Sequence, residues 1–78
     1  MMRISEASLL DMDIDGYDHH LILNDGSTWF VNPRDLVKLA EWVPSAMIAV
    51  DCCEDNSFFP YLLTNLDNDV SLLAMKID

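Results

Sequence analysis

The chain is 78 residues long, room for a single domain, 1–78, with a small core. Its 51% hydrophobic content suffices for a packed fold and argues against disorder. Fourteen acidic residues against four Lys and Arg give a net charge of -10, which leaves too few cations for direct contact with nucleic-acid phosphates or an anionic membrane. Eleven of the acids are aspartate, a turn former and a poor helix former, so the composition leans towards a loop-rich β protein.

The opening "MMRISEASLL" has no apolar run long enough for a signal peptide, and no stretch approaches the roughly 18 apolar residues of a membrane span. From Leu10, apolar and acidic residues alternate. Leu10, Met12 and Ile14 are expected on one face of a strand, with Asp11, Asp13 and Asp15 on the other. "DGYD" breaks that pattern and "HHLIL" begins a second strand. In "NDGS", Asp25-Gly26 can supply the positive φ angles of a tight turn, and "TWFV" follows as the third strand. A two-residue turn would pair Ile22 with Trp29. A three-residue turn with Gly26 at a bulge gathers Leu21, Leu23, Trp29 and Val31 on one face, and is favoured because that apolar set is larger. Ile22 and Phe30 then face the other way and need a cover.

"NPRDLVKLAEWV" reads as the one helix, over about 33–43. Asn32 is the N-cap, Pro33 the first helical residue, and Asp35 lies in the first turn. Leu36, Leu39, Ala40 and Val43 follow α-helical spacing until Pro44 stops the helix. "AMIAVDCC" reads as a buried central strand, "EDNS" as a polar loop, and "YLLTNL" with "VSLLAMKI" as a terminal hairpin. The resulting order, β-β-β-α-β-β-β, predicts a mainly β fold: a small barrel or highly twisted antiparallel sheet of five to six strands.

Taken together, "LNDGSTWFV", "AEWVPSAMIAV" and "YLLTNLDNDVSLLAMKI" resemble a pattern found in small uncharacterised bacterial proteins. In that pattern a hairpin "LSDGS-x-W-x-V" precedes a short helix ending in Trp, a Gly-Asp turn, a strand and a final "Y-x-L-x-N" hairpin. The resemblance spans about residues 9–77 and rests on Asp25, Gly26, Ser27, Trp29, Trp42, Tyr61, Leu63 and Asn65. It implies an SH3-like small barrel and carries no activity. Pro44-Ser45 stands where the pattern has Gly-Asp.

Calcium, zinc and thiol chemistry each require a particular set of side chains. "DMDIDG" matches positions 1, 3, 5 and 6 of an EF-hand loop, but position 12 falls on Ile22, and alternate strand carboxylates about 6–7 Å apart cannot wrap one ion. His19, His20, Cys52 and Cys53 are adjacent pairs, whereas zinc ligands are spaced so that both turn to one ion. A Cys53–His20 nucleophile would have acidic neighbours that raise the thiol pKa. The expectation is therefore no cofactor, no metal and no enzymatic activity. The only cysteines are adjacent and poorly placed to bond each other, which suits a reducing, cytoplasmic compartment.

What remains is recognition. The expected role is a non-catalytic acidic module acting through protein–protein contacts, with a basic partner. Its surface would be built from Asp11, Asp13, Asp15, Phe58, Phe59 and Tyr61. Pro60 would blunt an edge strand in "NSFFPY", and a homodimer could form through an edge strand or an apolar sheet face. The alternative is an inhibitor that mimics nucleic acid with its spaced carboxylates; a small metal- or thiol-dependent enzyme ranks third.

Overall fold

The computed structural model describes residues 2–13, 19–53 and 58–77. Six strands run β1 Met2–Asp13, β2 His20–Leu23, β3 Thr28–Val31, β4 Met47–Cys52, β5 Tyr61–Asn65 and β6 Val70–Lys76, with a 3-10 helix, Pro33–Glu41, between β3 and β4. They form a closed antiparallel barrel in the order β1-β2-β3-β6-β5-β4. The barrel is thus two three-stranded meanders, joined first strand to first (β1 with β4) and last to last (β3 with β6).

The barrel interior is filled by one cluster that includes Leu9, Leu21, Leu23, Trp29, Val31, Leu39, Trp42, Ile48, Val50, Leu63 and Leu72. In this closed order each of the six strands has two neighbours, with the Met2–Ser8 part of β1 pairing with β4 and the Leu9–Asp13 part with β2. The segment expected to carry a blunted edge is a bend at Phe58 and Phe59 that leads into β5. There the Cys53 amide donates to the Pro60 carbonyl, at 2.6 Å.

The β2–β3 turn has the three-residue form. Leu21 faces Trp29, the Gly26 amide donates to the Leu23 carbonyl, and Gly26 takes φ 90°. Leu21, Leu23, Trp29 and Val31 are all buried, as that register requires.

β1 departs from expectation at Leu10. It begins at Met2, well before the alternating stretch, and a bulge between Leu9 and Asp11 shifts its register against β2. One inserted residue reverses which side chains face inward. Leu9 is therefore buried and Leu10 exposed, while Met12 turns back to the core; Ile14 and Asp15 lie outside the described residues. A second bulge, between Arg3 and Ser5, brings Arg3 and Glu6 to the same outer face. The Arg3 guanidinium reaches both Asp51, at 3.1 Å, and Glu6, at 3.2 Å.

The helix also differs in kind. Its inward residues are Leu36, Leu39 and Trp42, a spacing of three, while Ala40 and Val43 are exposed. A 3-10 helix has three residues per turn, so its buried stripe follows i, i+3, i+6 and not the α-helical pattern. Asn32 caps it by accepting from the Arg34 amide, as its sequence position predicts.

Candidate functional site

The residues of the DGS-x-W motif form a hydrogen-bond relay. Asp25 Oδ1 accepts from the Ser27 amide (3.0 Å) and from the Ser27 hydroxyl (2.6 Å). Ser27 Oγ in turn accepts from the indole Nε1 of buried Trp29, at 2.8 Å. The Ser27 hydrogen bonds hold the Asp25 carboxyl below its usual range. In the Y-x-L-x-N segment, Tyr61, Leu63 and Asn65 share the inward face. Tyr61 packs edge-on against Trp29 with ring centroids 5.0 Å apart, and buried Asn65 accepts from the Asp67 amide to tie the last turn. These motif residues have structural work, and Tyr61 belongs to the core lining and not to the outer surface expected for it.

The outer face of β2, β3 and β6 is different. His20 pairs with Phe30, and Phe30 pairs with Met75, so the three side chains form one row across the strands. Thr28 and Ile77 stand in the next row, where the Ile77 amide donates to the Thr28 carbonyl. His20, Thr28, Phe30, Met75 and Ile77 line an open groove of about 520 Å³. Phe59 covers part of Phe30, its ring stacked at 6.1 Å with 26° between planes. Beside it Phe58 is 77% exposed.

The same rows continue onto β1. Asp13 pairs with His20, and Asp11 pairs with Ile22, both carboxylates lying on the exposed side of the strand. Of the six residues expected to form a partner surface, Asp11 and Asp13 lie in the rows that lead to this groove and Phe59 stacks on its Phe30. The expectation missed its lining. The sequence leaves Ile22 and Phe30 needing a cover, but Met75 and Ile77 lie at the end of the chain, and only the β3–β6 register brings them beside Phe30.

The expected metal and thiol candidates are dispersed. Cys52 pairs with Met2 at one end of β1, and His20 pairs with Asp13 at the other. Both cysteines are free and half-buried, and among the described residues no group of three or more His, Cys, Asp or Glu is placed to hold a metal ion. Two buried nitrogens, His19 Nδ1 and Trp42 Nε1, have no hydrogen-bond partner among the described residues. No described helix is long and apolar enough to cross a membrane.

No protein-family model, no curated protein and no solved structure matches this chain. The fold defines its class: a small, closed, six-stranded antiparallel barrel with one 3-10 helix.

Proposed function

We propose that this barrel is a non-catalytic protein-binding module of a reducing, cytoplasmic compartment, and that the outer face of β2, β3 and β6 is its recognition surface. The observation that carries the reading is the apolar groove of His20, Thr28, Phe30, Met75 and Ile77, set on a barrel whose interior is already filled. Concave apolar surface with a few polar groups at its border is what a soluble domain keeps exposed for a partner. Free Cys52 and Cys53 suit the compartment.

The test compares proteins captured from the native host by the wild-type chain, by Met75→Glu in the groove, and by Val37→Glu on the exposed helix face. A specific partner should be held by wild type and Val37→Glu, lost with Met75→Glu, and released as salt rises. A captured set that Met75→Glu leaves unchanged would overturn the reading. The nucleic-acid mimic makes the opposite prediction about what competes: DNA would displace the partner.

A further inference from the structure

The groove is apolar, but its β1 border is not. Asp11 and Asp13 stand exposed on the outer side of β1, directly across from Ile22 and His20. Lys76, between Met75 and Ile77, alternates to the other side of β6 from the groove. Of the other three cations, Arg3 is engaged with Asp51 and Glu6, Lys38 with Asp35, and Arg34 stands in the first turn of the 3-10 helix, outside the groove lining. The side chains that border the groove on β1, Asp11 and Asp13, are acidic, on a chain of net charge -10. A second copy of the chain would bring the same charge to the same face, so the electrostatics favour an occupant of opposite sign.

Spacing narrows the occupant further. From β1 to β6 across β2 and β3 are three inter-strand steps of about 4.8 Å, or about 14 Å. Alternate side chains of an extended chain lie about 6.8 Å apart, so positions i, i+2 and i+4 also span about 14 Å. Resting on the reading of the groove as a protein-binding surface, we propose that its occupant is an extended segment of a basic protein. A Lys or Arg of that segment lies against Asp11 and Asp13. Apolar side chains two and four residues further on lie over Phe30 and between Met75 and Ile77. Phe59, stacked on Phe30, walls one side of this track.

The probes are two synthetic peptides, Ser-Lys-Ser-Leu-Ser-Leu-Ser and the same sequence with Glu for Lys, titrated into isotope-labelled protein while its amide resonances are followed. The Lys peptide should shift the amides of His20, Thr28, Phe30, Met75 and Ile77, and bind several-fold more tightly than the Glu peptide. Asp11→Asn with Asp13→Asn should weaken the Lys peptide by about fivefold, the size expected of rim ion pairs. Asp67→Asn with Asp69→Asn, an equal charge change on the β5–β6 turn, should leave it unchanged.

Equal binding of both peptides in the groove would overturn the cationic occupant while leaving the groove reading intact. An equal loss with Asp67→Asn and Asp69→Asn together would overturn it too, by reducing the effect to net charge. Shifts confined to other surfaces, or a dimer that buries these same amides, would overturn the occupant and the groove's availability together.

Discussion

At the scale of single residues, the "DGS-x-W" stretch shows how polar groups make room for a buried indole. A Trp side chain contributes a large apolar area but brings one N–H donor that must be satisfied when water is excluded. Ser27 supplies the acceptor and Asp25 orients Ser27, while Gly26 provides the φ of 90° that lets the turn bring them together. Replacing Ser27 by Ala should therefore cost about 1–3 kcal/mol in urea unfolding, the penalty of a buried unpaired donor. Thr, which keeps the hydroxyl, should lose much less. The same relay has a pH signature. Because the folded Asp25 carboxyl titrates below its ordinary range of about 3.9, its contribution is present above that pH and is lost as pH falls through the lower folded value. The stability gap between wild type and Asp25→Asn should narrow as the solution is acidified below about pH 4; a constant gap would remove the carboxylate from the account. The motif residues were legible in the sequence as a turn. The relay was not, because the reach of the Trp29 indole back to Ser27 depends on the hairpin register.

At the scale of elements, the 3-10 helix does more than connect. β3 ends at Val31, so β6 would have unpaired backbone beyond Ala74 on that side. The Asn32 amide donates to the Leu73 carbonyl, and Asp35 Oδ2 accepts from the Leu73 amide, completing the ladder where a strand has run out. Asp35→Ala should destabilise by about 1–3 kcal/mol and unprotect the Leu73 amide in hydrogen exchange. Asp35→Asn, which keeps one acceptor oxygen, should preserve that protection. The cap, the proline start and Asp35 in the first turn could all be read from the sequence. The helix type could not, since a window of about ten residues fits a period of 3.0 or 3.6 depending on whether Trp42 or Val43 is taken as the last inward residue. Pro44-Ser45 resolves in the same region. The Ala46 amide donates to the Val43 carbonyl, and Ser45 takes φ 77°, a conformation that Gly adopts more readily. Ser45→Gly should raise stability by roughly 0.5–1 kcal/mol, less whatever glycine adds to the freedom of the unfolded chain; a lower Tm would contradict this.

At the scale of the whole molecule, the order of seven elements was legible because hydrophobic period and turn residues are local signals. Pairings between distant segments were not. Nothing in the sequence of β1 announces that it joins β4, or that a bulge at Leu10 exposes that side chain. The groove was illegible for the same reason. Its residues come from β2, β3 and β6, its acidic border from β1, and its aromatic wall from the bend before β5. Each contributor is ordinary in sequence, and only the barrel's closure sets them side by side.

The two joined meanders have a further consequence. Because first strand meets first and last meets last, each meander offers the other the same kind of docking, as the two halves of a twofold dimer would. The chain crosses between them only once, through the helix and the Val43–Ala46 turn. Cutting there should yield two fragments, 1–43 and 44–78, that are each unfolded alone, since three strands lacking their opposing layer cannot bury the core. Mixed, they should recover the strand signal in circular dichroism with a midpoint that depends on concentration. The covalent link then serves mainly to hold the two halves at high effective concentration.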